Sequence, residues 1–111
     1  MMDRAVMDRV LRLVGLGARS RGIVVGIDQV REAAKKDKVV YVLVAADASR
    51  NSTEKLVPLL NARGIMFVEG PPAAELGTAV GKEQTAAVGI VDRQLARGIR
   101  ALVESSPEGT P

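Results

Sequence analysis

Residues 39–44 read Val-Val-Tyr-Val-Leu-Val, an unbroken apolar run in which four of the six side chains are β-branched. A short continuous run of this kind is typical of a strand that is buried on both faces. Such a strand needs a layer of helices on each side of its sheet. The run therefore predicts an α/β fold with this strand near the centre of the sheet.

Helical and strand patterns alternate on both sides of this run. Before it, apolar spacing predicts a helix over Arg4 to Ala18, a short strand over residues 23–25 and a second helix over 27–36. After it, the patterns predict a third helix and then a second buried strand over Ile65 to Val68. A short helix over Ala73 to Val80, a further strand over Thr85 to Val91 and a last helix over Asp92 to Val103 follow. Strands that alternate with helices predict a layered α/β/α sandwich.

Several residues mark where these helices begin and end. Asn51, followed three residues later by Glu54, predicts a capping box at the start of the third helix. Pro58 predicts a kink there or the start of a new segment, and Gly64 is expected to close the helix. Gly15-Leu16-Gly17 resembles the start of a dinucleotide-binding fingerprint, but it follows a helical pattern, so we interpret it as a helix C-terminus with positive φ.

Composition excludes most kinds of catalytic site. The 111-residue chain has no Cys and no His, which removes thiolate chemistry, the commonest general base and the commonest transition-metal ligands. Its length fits one domain, which we place at residues 1–104 with a flexible tail at 105–111. A net charge of +3 suits a weak preference for polyanions. We therefore expect a protein that is not an enzyme and uses no cofactor, metal or small-molecule substrate.

The N-terminal residues and the hydropathy predict the compartment. The first nine residues carry two Asp and two Arg before any apolar stretch, so they do not resemble a signal or transit peptide. No apolar run approaches the roughly 20 residues needed to span a bilayer. We expect a cytoplasmic protein that has no membrane partner.

Three polar features leave alternatives open. Asp47 follows the central strand as a phosphoacceptor would, yet residues 23–27 lack an acidic pair to hold a cation, so we favour a cap of the next helix. Lys35, Lys36 and Lys38 either contact phosphate or simply end a solvated helix. The arginines of the last helix, Arg93, Arg97 and Arg100, are interpreted as a solvated face.

Three stretches, in order and spread over roughly residues 10–100, resemble one family. Residues 13–26 (LVGLGARSRGIVVG) resemble the opening of bacterial YlxQ-like proteins, small relatives of the ribosomal proteins that bind RNA kink-turns. Residues 45–53 (AADASRNST) look like the turn after the central strand in that branch, and residues 76–83 (LGTAVGKE) like its short helix and following loop. Ordered agreement across a domain is more specific than one motif. The resemblance implies an α/β/α sandwich around a four-stranded mixed sheet that recognises a sharply bent RNA duplex.

The resemblance also implies where RNA is held. In that family the N-terminus of the second helix and a loop before the fourth helix grip the RNA, which here correspond to residues 26–32 and to Gly70, Pro71, Pro72 and Ala73. This chain departs from the family, because the usual Asn-Glu pair and later Lys are replaced by Asp28, Gln29 and Glu32. An added carboxylate near phosphates is expected to weaken binding.

The sequence thus predicts a non-catalytic binder of structured, kink-turn-like RNA, with ribosomal RNA as one candidate. The second-helix N-terminus is expected to form the RNA surface in preference to the arginine face of the last helix. The alternative is a protein-interaction module of the same fold with reduced or lost RNA binding. The candidate RNA-binding residues are Gly26, Asp28, Gln29, Arg31, Glu32, Lys35, Lys36, Gly70, Pro71, Pro72 and Ala73, with Arg19, Arg21 and Lys38 as further phosphate contacts.

Overall fold

A computed structural model describes residues 2–105 of the chain. Helices and strands alternate along them as the sequence predicts. The nine elements are α1 (Arg4–Ser20), β1 (Ile23–Val25), α2 (Ile27–Lys35), β2 (Tyr41–Val44), α3 (Arg50–Ala62), β3 (Met66–Glu69), α4 (Ala73–Ala79), β4 (Ala87–Ile90) and α5 (Arg93–Glu104). Apart from Ser105, the tail predicted at residues 105–111 lies outside the described residues.

The four strands form one mixed sheet in the order β1-β4-β2-β3. β4 pairs antiparallel with both β1 and β2, whereas β2 and β3 are parallel. All four residues of β2 are buried, as are all four of β4. The strand predicted from the apolar run is therefore central, and the expected α/β/α sandwich around a mixed sheet is confirmed.

Two hydrophobic cores lie on opposite faces of this sheet. On one face α1, α4 and α5 pack around Val10, Val14, Leu76 and Ile99, together with Leu43 of β2. On the other face α2 and α3 pack around side chains that include Val30, Leu56, Leu60, Val42 and Val44. Alternate side chains of β2 thus enter different cores, which explains why its sequence shows no polar position.

The prediction of a second buried strand at Ile65 to Val68 is wrong in burial, and the strand begins and ends one residue later. The strand spans Met66–Glu69 and is an outermost strand of the sheet, with Met66 and Glu69 exposed. Only one neighbouring strand covers an edge strand, so its apolar residues need not all be buried. Periodicity alone does not distinguish such a strand from a central one over four residues.

The helix end predicted at Gly15-Leu16-Gly17 is also wrong. α1 continues to Ser20, and the left-handed residue that ends it is Arg21, with φ of 62°. Gly17 is present for a different reason: a Cβ on it would lie 2.5 Å from Leu95 Cδ2 and 2.7 Å from Ile23 Cγ2. The absent side chain lets α1 approach α5 and β1 closely.

The start of α3 differs from the predicted capping box. Ser49 is the N-cap, and its Oγ accepts a hydrogen bond from the Ser52 amide at 3.1 Å. Asn51 already lies in the helix, while Glu54 pairs with Arg50. The helix runs through Pro58 without a new segment beginning there, and Gly64, with φ of 66°, follows its end as expected.

Candidate nucleic-acid interface

The resemblance implies that the start of α2 and the loop before α4 contact RNA, and both lie at the same edge of the sheet. β1, β2 and β3 end at this edge and β4 begins there. Gly26 donates its amide to the Ala87 carbonyl, Ala87 pairs with Val44, and Val44 pairs with Glu69. Three strand spacings of about 4.8 Å separate Gly26 from Glu69, or roughly 14 Å. We call this edge, formed by residues 26–32, 45–49, 69–73 and 84–87, the α2 edge.

Gly26 begins α2 in a conformation that other residues rarely adopt. Its φ of 95° and ψ of 153° fall in a region that is essentially restricted to glycine. A Cβ built on it would find no atom within 4 Å, so the space beside this backbone is open. The first intrahelical bond runs from the Val30 amide to the Gly26 carbonyl, so the amides of residues 27–29 precede any intrahelical partner. An anion can approach these donors closely.

The side chains around this helix start are mixed in charge. Asp28, Gln29 and Glu32 are all exposed, whereas Arg31 is partly buried. Within residues 2–105, the Nε of Arg31 is a buried nitrogen that has no hydrogen-bond partner. Two carboxylates therefore face solvent where the sequence predicts RNA, and one guanidinium lies between them along the chain.

The loop of residues 70–73 is fixed to the end of β2 by three hydrogen bonds. The Gly70 amide donates to the Val44 carbonyl at 2.7 Å, and the Ala46 amide donates to the Pro71 carbonyl at 3.2 Å. Asp47 Oδ1 accepts from the Ala73 amide at 2.8 Å. The prediction that Asp47 caps the next helix in the chain is wrong in its partner, because Asp47 satisfies the first amide of α4 and Ser49 caps α3.

A close backbone contact positions the last segment of the edge. A Cβ on Gly77 would lie 2.4 Å from the Gln84 Cα, so α4 packs directly on the backbone of the segment that precedes β4. The Lys82 amide donates to the Gly77 carbonyl at 2.8 Å, and the Thr85 amide to the Ala73 carbonyl at 3.1 Å. Gln84 and Thr85 thereby join Asp47 and Ser49 in lining a cavity of about 380 Å³. Sequence reasoning missed Gln84 and Thr85, since they lie in a loop with no pattern of its own.

The remaining candidate residues lie elsewhere. Arg19 and Arg21 are at the end of α1, just before β1, and Lys35, Lys36 and Lys38 are at the end of α2, just before β2. All five are exposed. Because β1 and β2 start at the opposite end of the sheet, the structure does not bring these cations to the α2 edge. Nine helical residues, about 13 Å, separate Gly26 from Lys35.

This architecture places the chain in the class of small α/β/α sandwich proteins. Within that class it belongs to the Ribosomal protein L7Ae/L30e/S12e/Gadd45 family, whose model matches residues 8–99. The match concerns the family as a whole, and the YlxQ-like branch stays a prediction. A comparison with curated proteins gave no match.

Two solved structures are similar to the chain over most of its length. A protein of unknown function from Bacillus halodurans is 29% identical with a TM-score of 0.81, covering 86% of this chain and 97% of that one. A 15.5 kD RNA-binding protein from Giardia lamblia is 20% identical with a TM-score of 0.81, covering 99% and 94% respectively. The second likeness concerns the fold alone.

Between residues 2 and 105, none of the helices has the length and apolar character needed to cross a membrane. The same residues contain no group of three or more acidic side chains placed to hold a metal ion.

Proposed function

We propose that this protein is a non-catalytic, ribosomal-protein-like RNA-binding protein of the cytoplasm that recognises structured, kink-turn-like RNA at the α2 edge. The contacts are made by the α2 start and by the loop before α4. Ribosomal RNA is a candidate partner. The residues proposed to meet RNA here are Gly26, Asp28, Gln29, Arg31, Glu32, Gly70, Pro71, Pro72 and Ala73.

The observation that carries the proposal is the open helix start beside Gly26. Three amides there precede the first intrahelical bond, and no side chain fills the space that a Cβ would occupy. Donors of this kind bind phosphate without regard to base. Gln29, which is exposed in the first turn, can add hydrogen bonds to base edges that a bend in the duplex opens.

Family membership and the Giardia neighbour support the proposal from a different side. The family includes ribosomal proteins by its description, and the neighbour is named for RNA binding. Glu69, which leads into the loop of residues 70–73, lies roughly 14 Å from Gly26, across three strand spacings. Two contact points at this separation can hold RNA on both sides of a bend.

The charge of the α2 edge favours a second candidate function. Asp28 and Glu32 lie four residues apart on one helical face, and both are exposed. Carboxylates near phosphates oppose binding. A protein-interaction module that kept the fold and reduced its RNA affinity is therefore the alternative.

The test is a fluorescence-anisotropy titration with a kink-turn RNA and a straight duplex of equal length. The proposal predicts tighter binding of the bent RNA, and Gln29→Ala is expected to lower the ratio of the two affinities. Gln94→Ala removes the same group from an exposed position on α5 and should leave this ratio unchanged.

The outcomes separate the two candidates. A lower ratio of bent-RNA to straight-duplex affinity in Gln29→Ala, but not in Gln94→Ala, supports recognition at α2. An equal decrease of this ratio in both variants would contradict it. No binding of either RNA at low salt would reject the proposed function in favour of the interaction module.

A further inference from the structure

Positive charge collects at the end of the sheet opposite the α2 edge. β1, β2 and β3 begin at this end, β4 ends there, and Ile23, Ile90, Tyr41 and Met66 lie in register across it. Nine basic side chains surround this end of the sheet, and three acidic ones, Asp37, Asp92 and Glu104, lie among them. We call this surface the basic end; its cations are Arg19, Arg21, Lys35, Lys36, Lys38, Arg63, Arg93, Arg97 and Arg100.

The asymmetry is larger than the charge of the whole chain. Nine cations against three acids leave the basic end with six positive charges in excess, whereas the complete chain has a net charge of +3. The rest of the molecule is therefore net negative, and the α2 edge belongs to that part. A charge separated in this way attracts a polyanion to one end of the molecule.

Internal acids neutralise little of this charge. Asp37 pairs with Arg63 at 3.2 Å and Glu104 with Arg100 at 2.7 Å, and both are exposed pairs. Asp92 is engaged as the N-cap of α5, where its Oδ1 accepts from the Leu95 amide at 2.9 Å. As far as residues 2–105 are concerned, the other seven cations form no ion pair. They are exposed and available to an external partner.

The arginines of α5 lie on one helical face, spaced four and three residues apart. Arg93, Arg97 and Arg100 line a cleft of about 220 Å³ together with residues that include Met66, which is 46% exposed. The three guanidinium groups start from Cα positions spread over about 10 Å of helix. A row of this length matches an extended polyanion better than a single anion.

We propose that the basic end binds the sugar-phosphate backbone of a second RNA segment, independently of its sequence. The kind of polyanion rests on the proposed RNA-binding function. Cations come here from α1, α2, α3 and α5, so the charge covers both helix layers, and such a broad surface fits a duplex backbone.

The two RNA surfaces would face opposite ways. The molecule measures 32 × 32 × 27 Å, and the strands between its two ends are only three or four residues long. One RNA helix held at the α2 edge and another at the basic end can thus be joined by one protein molecule. The α2 edge supplies preference for a bend, and the basic end supplies salt-sensitive affinity.

The experiment measures binding of a straight RNA duplex by fluorescence anisotropy between 50 and 200 mM salt, which is about the range where phosphate contacts dominate. The test variant is Arg93→Glu/Arg97→Glu. The control, Arg9→Glu/Arg12→Glu, makes the same charge change at exposed positions of α1. Circular dichroism checks that both proteins are folded, and Arg93→Gln/Arg97→Gln repeats the test without introduced acids.

The test variant is expected to lose at least about tenfold in duplex affinity at the lowest salt and to reduce the salt slope by about two counterions. The control should lose less than about threefold. The ratio of bent to straight affinity should stay unchanged in both.

Equal losses in the two variants would overturn the proposal, because net charge alone would then explain binding. Tight binding of polyglutamate by a protein that does not bind duplex would also overturn it, in favour of an acidic protein partner. Loss of bend preference in Gln29→Ala, with duplex binding intact, would test the α2 edge separately. If bend preference is absent from the start while duplex binding depends on Arg93 and Arg97, the basic end stands and the proposed function fails.

Discussion

Reversing the charge of Glu32 should strengthen binding of bent RNA. Glu32 is exposed in α2, four residues after Asp28, at the position where the resemblance implies a cation. For a phosphate about 8 Å away in water, one unit charge changes the interaction by about 0.5 kcal/mol. Glu32→Lys changes two units, or about 1 kcal/mol, which screening at about 0.1 M salt roughly halves. The affinity should therefore rise about two- to fivefold.

The measurement is an anisotropy titration of kink-turn RNA at several salt concentrations. Glu32→Gln, with half the charge change, should lie midway between the native protein and Glu32→Lys. The salt slope should steepen by about one counterion for the Lys variant. Stability should change by less than about 0.5 kcal/mol, since the substituted side chain is exposed and the buried face of α2 is unaltered.

Asp8→Lys is the control for net charge. Asp8 is exposed on α1, in the helix layer on the other face of the sheet. Its substitution changes the same two units of charge and removes an exposed ion pair with Arg4. Asp8→Lys should raise the affinities for kink-turn RNA and for straight duplex by the same factor. A folded Glu32→Lys protein with unchanged affinity and slope for bent RNA would refute the reasoning, because the start of α2 would then not meet RNA.

Three further predictions concern the residues that shape the α2 edge. Gly77→Ala places a Cβ 2.4 Å from the Gln84 backbone, so it should lower the free energy of unfolding by about 1–3 kcal/mol and Tm by at least about 4 °C. The control is Gly98→Ala, whose Cβ would meet Leu13 at an ordinary 3.5 Å and should not lower Tm. Gly26→Ala should cost about 1–3 kcal/mol in a thermal melt because its φ is 95°; an unchanged melt would contradict that strain. A small phosphodonor with Mg²⁺ should leave the protein mass unchanged, because Asp47 is an α4 cap; a mass increase abolished by Asp47→Asn would contradict this assignment.

The layered fold could be predicted because its signals are local. The apolar run at residues 39–44 identifies β2 as a buried strand, and helical spacing identifies α1, α2 and α5. Errors arose where tertiary contacts decide. Gly17 resembles a helix end in sequence, but its role is close packing against Leu95 and Ile23. The edge position of β3 follows from strand order, which short-range patterns do not contain.

The candidate site shows the same division. Gly26 and the loop of residues 70–73 were expected to act together, and register across the sheet places both at one edge. The partner of Asp47 could not be predicted, since the Ala73 amide lies 26 residues away in sequence. Nor could the clustering of nine cations, which are scattered from residue 19 to residue 100 and meet only because β1, β2 and β3 begin where β4 ends.

The location of the RNA surface is tested most directly by amide NMR of the ¹⁵N-labelled protein during titration with kink-turn RNA. Recognition at the α2 edge predicts the largest shift changes at the amides of residues 27–29 and of Ala73. A straight duplex titrated into the free protein should instead move mainly the resonances of residues 93–100. Changes confined to residues 93–100 in the first titration, with the amides of residues 27–29 unmoved, would contradict recognition at the α2 edge.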